Sequence, residues 1–374
     1  MEEYAFIGLG LIGGSIAKAI RKVNPSAKIT IFDHHAGEIN INKIGIKSGA
    51  KLALEDGVAN KVTGNIKDLS SADYIFLCAP VIKNIEYLKD LKPIIKESVI
   101  ITDVGSVKNE IVTAAEELGL SSVFVGGHPM AGSEKTGYAN SSDRLLENAY
   151  YIITPCHNGE SIRKAQQLKE LVASIHALPV ILDSKSHDGT VATISHVPHL
   201  VACALVELVK KNDDQNETMR TLAAGGFKDI TRIASSSPVM WRDICLSNSE
   251  AISNYLGELI NSLSEIKNAV DEKSPEYITG LFNDAGAYRS TIPNSKGLLN
   301  RYYEIFVDLA DEPGAIASIA TLLAVNSINI KNIGIVHNRE FEQGVLRIET
   351  YDEEAEKKAI TILSDHAYKI YLRH

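Results

Sequence analysis

The first thirty-three residues carry a pattern that few folds can satisfy. A short apolar run, Tyr4-Ala5-Phe6-Ile7, passes at once into Gly8-Leu9-Gly10-Leu11-Ile12-Gly13-Gly14-Ser15 and then into helical apolar spacing through Ile16, Ala19, Ile20 and Val23. A second strand-like run, Lys28 to Phe32, ends at Asp33, twenty residues after Gly13. In that setting each glycine of GxGxxG has a mechanical task. The first permits a tight turn, the second lets a pyrophosphate approach the backbone, and the third seats helix on strand. The phosphates then lie at the positive end of the helix. A carboxylate at Asp33 accepts from both hydroxyls of an adenosine ribose and repels a 2′-phosphate, so the expected cofactor is NAD rather than NADP. Gly8, Leu9, Gly10, Leu11, Ile12, Gly13 and Asp33 are the expected cofactor-binding residues.

The alternation of strands and helices continues through Tyr74 to Leu77, Ser98 to Asp103 and Ser122 to Val125. Near-continuous apolar strands of this kind belong to a buried parallel sheet, and residues just past their ends line the ligand crevice. Ala79, Pro80, Gly105, Ser106 and His128 fall there. Ser106 can cap the helix that follows it or donate to a substrate hydroxyl or the cofactor; the two uses are compatible. His128 stands in Gly126-Gly127-His128-Pro129-Met130-Ala131-Gly132-Ser133-Glu134-Lys135, which reads as a strand end opening into a loop. Glycines let a backbone approach a ligand and an imidazole titrates near neutrality, a combination suited to a general base. The competing reading is a histidine that braces a turn. Tyr150 to Thr154, a helix from about Glu160 to Ser174 and a strand from Pro179 to Leu182 complete an expected Rossmann-like domain over residues 1–182.

Near Asp183 the alternation stops and long helical segments begin, giving an expected all-α region over 183–292. The run from Ser186 to Ala202 is mostly apolar yet holds His187, Asp188, His196 and His199. Polar groups in an apolar helix are costly unless partnered. On regular helical spacing Asp188, Ser195 and His199 share one side, with His196 turned further round. The spacing of His196 and His199 also occurs in metal sites, but no HExxH glutamate accompanies it, so a polar seam facing the cleft is expected and no metal. Arg232, in Gly225-Gly226-Phe227-Lys228-Asp229-Ile230-Thr231-Arg232, is suited to a carboxylate, or to an ion pair with Asp229. Trp241 follows Pro238 and is expected to pack behind the site. The helix from about Ser247 to Val270 carries a wide apolar face that fits a homodimer interface. Beyond the turn-rich break from Ser290 to Gly297, residues 301–374 read as βαββαβ, a ferredoxin-like unit.

A formal charge of −9 gives no general attraction for nucleic acid or anionic membranes. No secretory leader and no 18-residue apolar span is evident, and Cys78, Cys156, Cys203 and Cys245 form no metal or redox spacing. A cytoplasmic protein with reduced thiols is expected.

The motifs together resemble the prephenate dehydrogenases of tyrosine biosynthesis over essentially the whole chain. The matching stretches are Gly8 to Ser15, Thr102 to Lys108, Gly126 to Lys135, His187 to His199 and Gly225 to Ala234. The resemblance implies NAD-dependent oxidative decarboxylation of prephenate, with His128 polarising the ring hydroxyl and Ser106 beside it. It points to His199, Ser195 and Arg232 for substrate, Arg232 as the carboxylate clamp, and to Glu134, Asp188 and Trp241 as a surrounding gate or a supporting layer behind the site. The tail resembles an ACT domain whose effector turn comprises Asp311, Pro313, Gly314 and Asn329. That implies feedback inhibition, with L-tyrosine the expected effector. Family members dimerise through the helical domain. Three alternatives stay open at this point: an arogenate dehydrogenase, another hydride-transfer enzyme on the same scaffold, and a non-catalytic amino-acid sensor.

Overall fold

The computed structural model describes residues 2–34, 48–132, 135–292, 303–309, 312–336 and 344–371. Glu134 and Asp311, both expected site residues, lie outside them. The chain divides into two compact units, Met1–Gly297 and Leu298–His374.

The first unit opens with β1 (Glu3–Ile7), α1 (Leu11–Val23), β2 (Lys28–Phe32), α2 (Gly49–Glu55), β3 (Lys61–Thr63), β4 (Tyr74–Leu77), α3 (Val81–Leu91), β5 (Ile100–Asp103) and α4 (Asn109–Glu117). The five strands form one parallel sheet in the order β3-β2-β1-β4-β5. Central positions such as Phe6, Ile7, Ile29, Ile31, Ile75 and Leu77 are buried, as expected of a sheet covered on both faces.

Next come β6 (Val125–Pro129), β7 (Tyr150–Pro155), α5 (Gly159–Ser174) and β8 (Leu178–Ile181). Here the uniform parallel sheet expected from the sequence gives way. Strand β6 runs antiparallel to β7, β7 runs parallel to β8, and the parallel bridge Ile101–Phe124 ties this second sheet to the first. His128 therefore sits inside a strand, opposite Ile152, and not on a loop beyond one. The flanking glycines explain the difference. A Cβ on Gly126 would lie 2.3 Å from Thr154 Oγ1 and one on Gly127 would lie 2.6 Å from the Asp103 carbonyl oxygen, so they permit close packing of β6 rather than a flexible turn.

The helical part follows: α6 (Ser184–Val191), a π turn (Ala192–His196), α7 (Val197–Asn212), α8 (Thr218–Leu222), α9 (Gly225–Thr231), a 3₁₀ turn (Arg232–Ser235), α10 (Pro238–Ser247), α11 (Ser249–Asp271) and α12 (Pro275–Thr291). The continuous helical run Ser184–Asn212 is long and apolar enough to cross a membrane, contrary to the sequence expectation. It carries His187, Asp188 and His196 in buried polar contacts and packs on α4, β7, α9 and α11. Helices α11 and α12 leave Ile260, Leu263, Phe282 and Tyr288 exposed.

The second unit contains β9 (Tyr303–Leu309), α13 (Ala315–Val325), β10 (Asn332–Val336), β11 (Gly344–Thr350), α14 (Glu353–Asp365) and β12 (Ile370–Tyr371). Its antiparallel sheet has the order β10-β11-β9-β12, the ferredoxin-like arrangement read from the sequence. Strand β10 begins at Asn332 and leaves Asn329 exposed ahead of it. Gly314, at φ +93°, introduces α13 from the left-handed region, which favours glycine.

Candidate active site

The dinucleotide end is built as the motif requires. Gly8 adopts φ +86°, where a Cβ would lie 3.2 Å from the Cys78 backbone. A Cβ on Gly13 would meet Cys78 Sγ at 2.9 Å, which is how α1 seats on β4. The Gly10 cap places no side chain over the first turn of α1, so its backbone N–H groups face outward for an anion. Leu11 and Ile12 form that turn. A cleft of about 160 Å³ adjoins it, lined by Gly8, Leu9, Phe32, Asp33, His34 and Tyr87. These features fit a dinucleotide with its ribose at Asp33. Ala79 and Pro80 follow β4 as expected. Buried Asn84, which sequence reading missed, braces them by accepting from Ala79 N–H at 3.2 Å and donating to the Leu77 and Ala79 carbonyls at 3.3 and 2.9 Å.

His128 keeps part of its surface exposed, and its Nδ1 lies 2.8 Å from Nε2 of His187. His187 Nδ1 lies 2.7 Å from Asp188 Oδ1. Asp188 Oδ1 also accepts from Lys108 N–H and Oδ2 from Asn109 N–H, both at 2.8 Å. Helix α4 is thus capped by a carboxylate eighty residues away, and Ser106 is not its cap. Gly105 and Ser106 occupy the turn between β5 and α4, where Asp103 accepts from Gly105 N–H at 2.9 Å. Asp188 is buried behind His187 and bonded to its Nδ1.

Beneath these rings a fully buried Lys108 pairs with Asp103, whose other oxygen accepts from Gly127 N–H at 3.2 Å. That charge-assisted bond ties β6 to the end of β5. Burial pulls the Lys108 pKa down while the Asp103 carboxylate opposes the shift. Burial, then the neighbouring His187, Lys108 and His196, hold the His128 pKa well below the ordinary histidine value. The ring is neutral at physiological pH.

On the helical side, the π turn closes with Val197 N–H donating to the Ala192 carbonyl. The widened turn brings His196 to the Asp188 side, where Asn248 Nδ2 reaches both the Asp188 carbonyl at 2.9 Å and His196 Nδ1 at 3.2 Å. Burial pushes the His196 pKa down to about 4. His199 donates from Nδ1 to the Ser195 carbonyl at 2.8 Å, leaving Nε2 as an acceptor. Its ring stacks on Trp241 with centroids 3.8 Å apart, while His196 meets the same indole edge-on at 5.8 Å. The buried Trp241 indole N–H has no partner among the described residues. Arg232 opens the exposed 3₁₀ turn that packs on α7, the helix carrying His199. No metal-holding cluster of His, Cys, Asp or Glu occurs among the described residues.

His187, Lys108, Asp103 and Asn248 were not singled out from the sequence as site residues. The available signal was the cost of burying charge in apolar segments, which calls for partners without naming them.

A dinucleotide cleft on a parallel sheet, joined to a helical layer that brings histidines to one sheet edge, defines an NAD-dependent dehydrogenase. Family models of the prephenate dehydrogenase nucleotide-binding domain and dimerization domain match residues 16–180 and 183–284, and the prephenate dehydrogenase of Bacillus subtilis is 38% identical over 94% of this chain and 93% of its own length. The chain belongs to the prephenate dehydrogenase family. A solved structure of the Aquifex aeolicus prephenate dehydrogenase in complex with hydroxyphenyl propionate and NAD+ is 32% identical, with TM-score 0.69 over 78% of this chain and 99% of that one. The Synechocystis arogenate dehydrogenase is 25% identical, with TM-score 0.67 over 77% of this chain and 99% of that one.

Proposed function

We propose that His128 is the base for the oxidative decarboxylation of prephenate to 4-hydroxyphenylpyruvate and CO2. The observation that carries this reading is the 2.8 Å contact from His128 Nδ1 to His187, which fixes the ring by the nitrogen facing away from a ligand. Its Nε2 is then the atom that meets the 4-hydroxyl. NAD, when bound, supplies the acceptor for the hydride that leaves C4. Ser106, on the neighbouring turn, donates to the same oxygen. Arg232 clamps a substrate carboxylate bidentately, a contact worth about 1.5–3 kcal/mol. His199 and Ser195 line the substrate with Trp241 beside them; Glu134, assigned with Trp241, lies outside the described residues. Ordering substrate, base and acceptor in one place is the larger part of the rate gain, since loss of CO2 with aromatisation already favours product. NADH formation with prephenate, run beside arogenate, tests the reading and the substrate preference together. Absence of turnover on both would reject it.

The domain limits that go with this reading are 1–182 for NAD, 183–292 for substrate and dimerisation, and 301–374 for regulation. Exposed Ile260, Leu263, Phe282 and Tyr288 on α11 and α12 support a homodimer. The βαββαβ order and the left-handed Gly314 support an ACT domain that binds L-tyrosine at Pro313, Gly314 and Asn329; Asp311, expected there too, lies outside the described residues. Four free cysteines support a reducing, cytoplasmic setting. Titrating activity with tyrosine and with phenylalanine, then repeating on a chain ended near Asn300, tests the regulatory assignment. Inhibition that survived the truncation would place the sensor elsewhere.

A further inference from the structure

A base that binds protons as weakly as His128 needs somewhere to put one. The hydrogen bonds behind it supply the place. Asp188 receives three N–H groups, from Lys108, Asn109 and His187, and acts only as an acceptor. His187 Nδ1 therefore carries a hydrogen toward Asp188, and neutral His187 presents a lone pair at Nε2. His128 must then carry its hydrogen on Nδ1, directed at that lone pair across 2.8 Å. Its Nε2 is left bare.

We propose that the substrate proton ends on His187, with His128 as the relay. This inference rests on His128 being the group that meets the hydroxyl. In one step the substrate O–H bond breaks, a hydrogen bonds to His128 Nε2, and the hydrogen of His128 Nδ1 passes to His187 Nε2. His128 finishes neutral in its other tautomer. His187 finishes as an imidazolium paired with Asp188 at 2.7 Å, so the positive charge rests beside a carboxylate rather than on the ring beneath the substrate. When CO2 departs, its bonding electron pair enters the ring and the former hydroxyl oxygen becomes a phenolate. The two hydrogens then run back, and the proton returns to that oxygen. The overall conversion exchanges no proton with water: prephenate dianion and NAD+ give 4-hydroxyphenylpyruvate anion, CO2 and NADH. A sealed, reversible store suits such a balance, and His187 is 1% exposed. The other titratable groups around the two rings are Asp103 and Lys108 at the β5–α4 turn, His196 on the π turn and Tyr151 on β7. None of these is bonded to His187 as Asp188 is, so Asp188 is the group that holds its charge. Its ties to Lys108 and Asn109 N–H also make the relay span from α6 to α4, so the base is assembled only when the helical layer is seated on the sheet.

The test is His187→Gln in the full-length protein. Glutamine can accept from His128 Nδ1–H but cannot hold a proton. The expected kcat falls about 10²- to 10³-fold, with KM for prephenate within about threefold. A kcat near wild type overturns the relay while leaving His128 as base. If His128→Asn also kept its kcat, the base reading itself would fall. Histidine ¹⁵N NMR on the unaltered protein gives a second readout that no folding defect can obscure. The expected spectrum has hydrogen on Nδ1 of both rings and none on His128 Nε2; hydrogen on His128 Nε2 overturns the proposal.

Discussion

Replacing Gly127 by alanine asks how firmly β6 holds the base. The new Cβ would lie 2.6 Å from the Asp103 carbonyl oxygen, 2.8 Å from Thr102 Oγ1 and 2.9 Å from the Tyr151 hydroxyl. Ordinary contact begins at 3.4 Å, so relief requires a displacement of about 0.8 Å (3.4 − 2.6). The carbonyl cannot swing aside, because it is backbone in β5, which is held in register by β4. Strand β6 must move instead, and such overpacking costs about 1–3 kcal/mol. His128 is the next residue, and its 2.8 Å contact with His187 would stretch to as much as about 3.6 Å, beyond hydrogen-bond range. We expect kcat to fall about tenfold to a hundredfold. NAD affinity should hold, because the cleft at Asp33 and Tyr87 is lined from β1, β2 and the helices beside them. Steady-state NADH formation and a thermal melt, run beside Gly159→Ala, provide the assay; a Cβ on Gly159 meets nothing within 4 Å. Wild-type turnover and melting temperature in Gly127→Ala would refute the claim that these glycines pin the base.

Other perturbations separate the remaining roles. His128→Asn should lower kcat about 10²- to 10⁴-fold with little change in KM, and an unchanged kcat would remove it as the base. Arg232→Ala should chiefly raise the KM for prephenate; a constant KM would favour its alternative use as a partner of Asp229. Asp33→Ser should narrow the preference for NAD over NADP by removing the charge that repels a 2′-phosphate, measured as the ratio of the two kcat/KM values, and an unaltered ratio would exclude Asp33 from ribose recognition. For His196 the folded pKa of about 4 lies below the ordinary 6.5, so neutral His196 stabilises the fold above pH 6.5 and that contribution is lost as pH falls toward about 4. The gap corresponds to about 3 kcal/mol. His196→Gln should flatten this part of the stability curve in urea titrations, and an identical slope would assign the acid lability to another group.

How far these features could be read in advance depends on whether they are local. The Gly8 to Gly13 turn and α1 were legible because they are made by consecutive residues whose spacing is set by one turn and one helix. His128 stood out in the sequence too, but not its position in a strand. A Gly-Gly pair signals loop freedom in sequence, and only the neighbouring Asp103 carbonyl and Thr154 hydroxyl reveal that the pair serves close packing. The partnership behind His128 was least visible, since His187 lies fifty-nine residues away and reaches it only through the packing of α6 on β7 and α4. The helical face was misjudged for a specific reason. A regular helix through Ser186 to Ala202 puts His196 away from Asp188, whereas the π turn at Ala192–His196 widens the winding and lets Asn248 bind both. Such a turn loses a regular hydrogen bond and persists where packing or polar partners compensate. Here the compensation is the buried Asn248 bridge and the Trp241 edge against His196. The departure from helical periodicity therefore falls where the chain turns from supporting His128 through His187 to presenting His199 and Trp241, and regular periodicity could not have served both.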